Sequence, residues 1–176
     1  MEKTIYLVRH CQATGQAPDA PLTELGKLQA KELAEFLRER EIVHFVSSPF
    51  TRAIQSVEHA ADQQNLRIEI DDRLAERVLS SENLPDWMEK LEASFAADEL
   101  KFVGGESGKE AGDRAMEALN RMEDRTVAVT HGNLLGLLLK RIDNGYGFSE
   151  WQKLTNPDVF EVKITEKHLS ATRLWR

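Results

Sequence analysis

The sequence predicts a three-layer α/β domain, with a mostly parallel sheet held between two layers of helices. Two observations predict this fold. Short apolar, β-prone runs alternate along the chain with longer amphipathic stretches, which is the pattern of strand-helix units. In addition, the 176 residues are 41% hydrophobic and 30% charged, as in an ordinary globular domain that is long enough for a proper core. We therefore expect one domain over residues 1–176.

The first half of the chain predicts three strands and two helices. Strands are expected at residues 4–8, 42–46 and 67–70. The first helix opens at Leu22-Thr23-Glu24-Leu25-Gly26, and its apolar face is expected to contain five large side chains: Leu25, Leu28, Leu33, Phe36 and Leu37. The second helix is expected to begin with Ser48 as N-cap and Pro49 at the first helical position, and to run to about residue 64. Its inward-facing residues should be Ala53, Ile54, Val57 and Ala60.

The second half predicts a segment of weaker pattern followed by a regular α/β unit. A helix over residues 83–98 should lie on the sheet through Trp87, Met88, Leu91 and Phe95. Residues 104–107 form a turn, and Ser107 and Glu110 form a capping box for a helix through residue 121. Residues 126–129 are so apolar that this strand must be covered on both faces. Helices at 133–140 and from about 149, and a hairpin over 159–175, complete the chain. We interpret residues 77–107 as a lid or subdomain.

Charge and cysteine content exclude several classes of partner. The net charge of −7 repels polyanions, so nucleic acid and anionic membranes are not expected partners. A phosphate-bearing ligand would need a local positive pocket in this acidic surface. Cys11 is the single cysteine and cannot form an intramolecular disulfide, and the N-terminus lacks the apolar stretch of a signal peptide. These features favour the cytoplasm, and they leave the oligomeric state open.

Three segments follow predicted buried strands and carry residues of one chemical type. They are Val8-Arg9-His10, the Ser48–Arg52 stretch and Thr130-His131-Gly132. The carboxyl ends of parallel strands meet at one edge of a sheet, so two histidines and two arginines should line one pocket there. Guanidinium groups offer paired donors to phosphate oxygens, and a neutral imidazole can attack phosphorus. The combination therefore favours a phosphoryl group as the ligand.

The same residues permit a phosphoryl-transfer reaction that needs no metal. Arg9, Arg52 and a second, protonated histidine would neutralise the phosphoryl oxygens. Glu76, just past the third strand, is the candidate acid for the leaving oxygen, and partial burial would have to raise its pKa. Three other histidines lack such a setting and are interpreted as structural or exposed: His44, His59 and His168.

Other interpretations of these residues stay open at this point. Each one taken alone is typical of a turn, a core or a surface position, and only their combination favours a site. His10, His131 and Glu76 could bind zinc, although two neighbouring arginines would repel the cation. The pocket could also bind a phospholigand without turnover. Cys11 lies beside His10 in the sequence and could act as a redox switch. The alternative is that Cys11 is simply a small side chain packed in the core.

Four motifs resemble those of the histidine phosphatase, or phosphoglycerate mutase-like, superfamily in order and spacing. They are Leu7-Val8-Arg9-His10, Leu22-Thr23-x-x-Gly26, Ser48-Pro49-x-x-Arg52-Ala53-x-Gln55 and Thr130-His131-Gly132. The resemblance implies a mostly parallel sheet, no metal or other cofactor, and a site at the carboxyl edge of the strands. It implies that His10 is the phosphorylated nucleophile and Glu76 the proton donor, and that Arg9, Arg52 and His131 hold the phosphoryl group.

The chain departs from the family pattern at two places. Cys11-Gln12-Ala13-Thr14 replaces the usual residues after the nucleophile, and Gln12 is expected to contact substrate or phosphate. Residues 78–81 replace a Gly-rich, Trp-containing stretch after the acid. The chain also lacks the larger insertions and longer tail of cofactor-dependent phosphoglycerate mutases. We therefore expect a phosphatase acting on a small phosphate ester or a phosphoprotein, with mutase-type transfer as the alternative.

Overall fold

A computed structural model describes residues 2–176 and contains a six-stranded mixed sheet. The strands are β1 (Lys3–Arg9), β2 (His44–Ser47), β3 (Ile68–Ile70), β4 (Thr126–Thr130), β5 (Asp158–Ile164) and β6 (Leu169–Arg173). Their order across the sheet is β3-β2-β4-β1-β5-β6. The strands β3, β2, β4 and β1 run parallel to one another. β5 runs antiparallel to β1, and β6 runs antiparallel to β5. The predicted mostly parallel sheet and the predicted hairpin are therefore confirmed.

Within residues 2–176, six helices cover the two faces of the sheet. They are α1 (Glu24–Leu37), α2 (Thr51–Gln63), α3 (Trp87–Ala96), α4 (Gly108–Asn120), α5 (Gly132–Ile142) and α6 (Phe148–Trp151), with a 3-10 turn at Asp72–Leu74. β1 shows how the layers form, because its side chains alternate between faces. Tyr6 and Val8 join the core under α1 and α2, whereas Ile5 and Leu7 join the core under α3, α4 and α5. The three-layer α/β prediction is thus confirmed.

Strand β4 lies at the centre of this arrangement. All five of its residues are buried, as its continuous apolar sequence predicts. It pairs with β1 on one side and β2 on the other, so the ends of these strands lie side by side. The segments that follow Arg9, Ser47 and Thr130 consequently emerge next to one another at one edge of the sheet.

The apolar face predicted for α1 is wrong in its first half. Leu25 and Leu28 are 51% and 57% exposed. The helix instead buries small residues there, with Gly26 and Ala30 toward the core, and only beyond them do large side chains such as Leu33 point inward. Gly26 allows the first turn of α1 to approach the backbone just after β1, which leaves no room for leucine on that face.

Two predicted helix caps are also wrong. Helix α2 begins at Thr51 with Phe50 as its N-cap, whereas the Ser48 hydroxyl accepts from the Phe50 N–H and pairs with His131 Nε2. Helix α6 begins at Phe148, one residue before the predicted cap, and Gly147 precedes it. By contrast, the capping box of α4 is confirmed, with Ser107 accepting from the Glu110 backbone and the Glu110 carboxylate accepting from the Ser107 backbone.

The segment interpreted as a lid contains one helix and extended loops. Helix α3 buries Leu91 and Phe95, but Trp87 and Met88, also predicted to lie on the sheet, are 48% and 40% exposed. Its function as a lid and the single-domain boundary stay predictions. No helix in the described part of the chain is long and apolar enough to cross a membrane.

We predict that Gly26→Ala destabilises the protein, even though alanine favours helix formation by about 1 kcal/mol over glycine. A methyl group at this position would collide with the carbonyl oxygen of Gln12, which is backbone and cannot rotate away. Overpacking of this kind costs about 1–3 kcal/mol. Urea unfolding should show the loss, whereas the control Gly15→Ala, where a methyl meets no atom within 4 Å, should not. Equal stability of Gly26→Ala and wild type would contradict this close approach.

Candidate active site

The structure brings His10, Arg52 and His131 together at the carboxyl edge of the sheet. The ring centroids of His10 and His131 lie 5.1 Å apart, in an edge-to-face arrangement. The Arg52 Nε–H group donates to His10 Nε2 at 3.3 Å. All three side chains are buried, with 8% exposure for His10 and less for the other two. These three side chains thus lie together although they are separated by between 42 and 121 positions in the sequence.

His10 is held so that one ring nitrogen is left for chemistry. Its Nδ1 lies 2.7 Å from the carbonyl oxygen of Cys11, which can only accept, so Nδ1 carries the proton. Its backbone N–H donates to the Thr130 carbonyl at 3.1 Å, and its own carbonyl accepts from the Asn156 side chain at 3.0 Å. Nε2 therefore keeps its lone pair, and it is directed at Arg52.

Burial keeps the His10 ring neutral. Loss of solvent lowers its pKa to about 4, and the positive charges of Arg52 and Arg9 act in the same direction. The hydrogen bond to the Cys11 carbonyl opposes this shift but is weaker. At neutral pH the ring is thus an uncharged imidazole, which is the form that can act as a nucleophile.

The two arginines reach the site from different elements. Arg9, at the end of β1, donates from Nη1 to the Leu154 carbonyl at 3.3 Å, and its buried Nε–H has no partner within residues 2–176. Its guanidinium lies against Gly132, where a Cβ would come within 2.9 Å of Cζ. Arg52, on α2, donates from Nη1 to the carbonyl of Ala17 at 2.9 Å, so it also ties the loop before α1 to His10.

His131 is fully buried and differs from the sequence expectation in its charge. Burial, followed by the positive charge of its neighbours, lowers its pKa to about 2, so the protonated form expected from the sequence is disfavoured. Its Nε2 lies 2.7 Å from Ser48 Oγ. Ser48 Oγ accepts from the Phe50 N–H at 3.2 Å and still has a proton and a second lone pair, so it can pair with either tautomer of His131. His131 Nδ1 has no partner in the described chain.

Glu76 lies at the start of α5, beside His131. Its carboxylate accepts from the backbone N–H groups of Asn133 at 3.1 Å, Leu134 at 2.9 Å and Arg77 at 2.8 Å. Burial raises the pKa of Glu76, and this outweighs the three N–H donors and the charge of Arg9, which favour ionisation. The shift is in the direction that a proton donor needs.

Gln12 makes different contacts from those predicted. Its side chain is exposed, and Oε1 accepts from the Thr23 hydroxyl at 2.8 Å. Thr23 in turn caps α1 by accepting from the Gly26 N–H at 2.9 Å. Gln12 therefore supports the first turn of α1, and a contact with phosphate stays a prediction.

Several residues at the site were missed by sequence reasoning. Ser48 orients His131, although its position before Pro49 indicates a helix cap. Phe50 lies edge-on to the His131 ring with centroids 4.8 Å apart. Asn156, which binds the His10 carbonyl, is 146 residues away in the sequence and carries no local signal. The pairing of β5 with β1 is what brings this loop to the site.

Two of the alternatives find no support in this geometry. Burial raises the pKa of the Cys11 thiol to about 12, and the side chain is fully buried, so the reactive thiolate of a redox switch is disfavoured. The packed side chain is the interpretation that fits. Within residues 2–176, no group of three or more histidine, cysteine, aspartate or glutamate side chains is arranged to hold a metal ion.

The chain is similar to known proteins over nearly its whole length. A sequence profile described as "Histidine phosphatase superfamily (branch 1)" matches residues 5–175. A protein named probable phosphoglycerate mutase GpmB, from Salmonella paratyphi A, is 30% identical over 192 aligned residues that cover 96% of this chain and 88% of the relative.

Solved structures with two different activities share this fold. A mycobacterial glucosyl-3-phosphoglycerate phosphatase superposes with a TM-score of 0.76 at 20% identity, over 98% of this chain and 97% of that chain. A phosphoglycerate mutase from Bacillus anthracis superposes with a TM-score of 0.74 at 18% identity, over 98% of this chain and 92% of that chain. The fold alone thus does not separate a phosphatase from a mutase.

The lowered pKa of His10 predicts a specific pH dependence of stability. The ordinary pKa of histidine is 6.5, and that of folded His10 is about 4. At pH values between these two, the unfolded chain binds a proton at His10 that the folded chain does not. Stability is therefore lost as the pH falls through this window, by a contribution on the order of 3 kcal/mol.

Urea unfolding at pH 7.5 and pH 4.5 tests this dependence. Acidification should cost wild type more free energy of unfolding than His10→Gln, which cannot titrate. The control His168→Gln, at an exposed position, should behave like wild type. An identical acid-induced loss in wild type and His10→Gln would show that His10 is not held neutral by the fold.

Proposed function

The chain belongs to the histidine phosphatase superfamily, and on that premise we propose that it is a metal-independent phosphomonoesterase that works through a phosphohistidine at His10. The substrate is a phosphate ester of a small metabolite or a phosphoprotein. One observation carries the proposal. Two buried nitrogens lack a partner among the described residues at the edge where His10 Nε2 keeps its lone pair: Arg9 Nε, and His131 Nδ1, which carries the ring proton when Ser48 Oγ donates to Nε2.

Unpaired buried donors are costly, by roughly 1–3 kcal/mol each, and a ligand that completes their hydrogen bonds is one reason that proteins keep them. A phosphoryl group has three peripheral oxygens and two negative charges, so it accepts from such donors and neutralises the two guanidinium groups. Arg52 Nε–H can donate to an oxygen of the group when phosphorus approaches His10 Nε2. These properties support a phosphoryl ligand over a neutral or cationic one.

The first half-reaction transfers the phosphoryl group to the protein. His10 Nε2 forms a bond to phosphorus as the bond between phosphorus and the ester oxygen breaks. Glu76, whose pKa is raised by burial, delivers its proton to that oxygen, and the neutral alcohol leaves. Arg9, Arg52 and the neutral Nδ1–H of His131 hold the phosphoryl oxygens throughout.

The second half-reaction restores the enzyme. Water attacks phosphorus, its proton passes to the Glu76 carboxylate, and the bond from phosphorus to His10 Nε2 breaks. Inorganic phosphate leaves and Glu76 is again protonated. The hydrogen bond from His10 Nδ1 to the Cys11 carbonyl keeps the ring in place and stabilises the cationic ring formed on phosphorylation.

Mutase activity is the second candidate, because the relative from Salmonella is named a probable phosphoglycerate mutase. In that case a second hydroxyl, rather than water, would receive the phosphoryl group from His10. The lack of larger insertions over the site favours water, since an open pocket gives it access to the phosphohistidine. We also propose the cytoplasm as the compartment, on the single Cys11 thiol.

His10→Ala should lower hydrolysis of p-nitrophenyl phosphate by roughly 10³-fold or more, because the covalent nucleophile is lost. Wild-type activity should survive excess EDTA, since no step requires a metal. The matched control is His59→Ala, an exposed histidine on α2, which should keep wild-type activity. Substantial activity in His10→Ala, or loss of wild-type activity on chelation, would contradict the mechanism.

Hydrolysis and isomerisation can be separated with 3-phosphoglycerate as the probe. Phosphorus NMR follows inorganic phosphate and 2-phosphoglycerate in the same sample, with His10→Ala as the blank. We expect inorganic phosphate to be the product and no isomer to form ahead of it. Faster formation of 2-phosphoglycerate than of inorganic phosphate would assign the protein as a mutase. Binding of phosphate or vanadate without turnover on any phosphate ester would assign it as a binding protein.

A further inference from the structure

We propose that Glu106 and Arg114 form a positioning pair that fixes the carboxyl group of Glu76 for proton transfer to the leaving oxygen. This assignment rests on the proposed function. The sequence indicates only a turn and a helix cap around Glu106, and nothing in it points to Arg114.

The segment around Glu76 lacks regular secondary structure. After the 3-10 turn at Asp72–Leu74, residues 75–80 belong to neither a helix nor a strand, so no ladder pairs their backbone groups. Backbone carbonyls of this kind need other donors if the chain is to hold one conformation. Such donors, together with the N–H groups that bind its carboxylate, therefore set the position of Glu76.

Arg114, on α4, supplies those donors with one guanidinium group. Its Nη1 donates to the carbonyl of Arg73 at 2.7 Å and to the carbonyl of Ala75 at 2.9 Å. Its Nη2 lies 3.4 Å from the carbonyl oxygen of Glu76 itself. A planar, rigid fork of donors thus spans the chain up to and including the acid.

Glu106 holds the other side of the acid. Its backbone N–H donates to the Val78 carbonyl at 2.7 Å, and its Oε1 accepts from the Val78 N–H at 3.1 Å. Its carbonyl accepts from Arg77 Nε at 3.1 Å and Nη2 at 2.9 Å. Glu76 therefore lies between two anchored stretches of chain, and both anchors belong to one pair.

The pair itself is rigid and partly buried. Arg114 and Glu106 form two parallel bonds, Nε to Oε2 at 2.8 Å and Nη2 to Oε1 at 2.9 Å, with about a quarter of each side chain exposed. The capping box that starts at Ser107 fixes the first turn of α4, which sets the distance between Glu106 and the helix position of Arg114. The pair thus connects α4 to the acid.

The charges of the pair also cancel beside Glu76. The charged groups around that carboxyl are Arg9 on β1, Arg52 on α2, Arg77 in the same segment, and the Arg114 and Glu106 pair, while His131, just before α5, is neutral. An unpaired guanidinium at Arg114 would favour the carboxylate and lower the pKa of Glu76. The Glu106 carboxylate removes that effect, so the acid keeps the raised pKa that burial gives it.

Leaving-group dependence tests the assignment. An acid matters little when the leaving group is the stable p-nitrophenolate, but it matters greatly when an alkoxide would leave. Arg114→Met should therefore lower kcat/KM, which reports the steps up to departure of the alcohol and not the later attack of water, by roughly 10²-fold for n-butyl phosphate and by less than about 10-fold for p-nitrophenyl phosphate. Glu76→Gln should show the same pattern, and Arg114→Lys should recover part of the loss.

The pH profile gives a second readout, which also serves if Arg114→Met does not fold. In Glu106→Gln, the uncompensated Arg114 charge lowers the pKa of Glu76, so activity toward n-butyl phosphate should decline at a lower pH than in wild type. The control Arg141→Met removes another guanidinium that pairs with α4, through Asp113 at 2.9 Å, and should change neither readout.

Each outcome has one meaning. Equal losses on both esters in folded Arg114→Met, or an unshifted profile in Glu106→Gln, overturn the positioning role while the phosphatase assignment stands. Hydrolysis of neither ester by wild type overturns the proposed function, and this assignment falls with it. Selective loss on the alkyl ester together with a shifted profile supports both.

Discussion

The hydrogen bond from His10 Nδ1 to the carbonyl of Cys11 is the interaction on which the site depends. It fixes the tautomer of a buried, neutral ring, so the other nitrogen keeps its lone pair at the carboxyl edge of the sheet. The bond is local to the end of β1, but its surroundings are not. The Thr130 carbonyl, the Asn156 side chain and Ser56, which accepts from the Cys11 N–H at 2.8 Å, hold the same short segment from three elements.

Positive charge is concentrated at the carboxyl edge of the sheet. Arg9 and Arg52 bring two positive charges beside two histidines, and both rings stay neutral because a charged ring would be buried and would face these like charges. The protein therefore carries stability costs at this edge that a bound dianion would relieve. The same logic extends to Glu76, which burial holds toward its protonated form while backbone N–H groups hold its geometry.

Sequence reasoning succeeded where a pattern is local and failed where long-range contacts decide. The buried strand β4 and the capping box at Ser107 follow from neighbouring residues alone. The exposure of Leu25 could not be predicted, because it depends on how closely Gly26 lets α1 approach the chain after His10. Ser48 and Arg114 were missed for the same reason: their partners lie 83 and about 40 residues away, and the sheet order brings them together.

The central claim is that phosphorus passes through His10, and trapping the phosphorylated protein tests it most directly. Wild type would be mixed with a phosphate ester, quenched within milliseconds under alkaline conditions that preserve phosphoramidates, and digested with trypsin. The account predicts phosphate on the peptide of residues 10–27, in which His10 is the single histidine, and its loss on acid treatment. Phosphate on an acid-stable serine or threonine ester, or active protein with an unmodified peptide in the steady state and at single turnover, would contradict it.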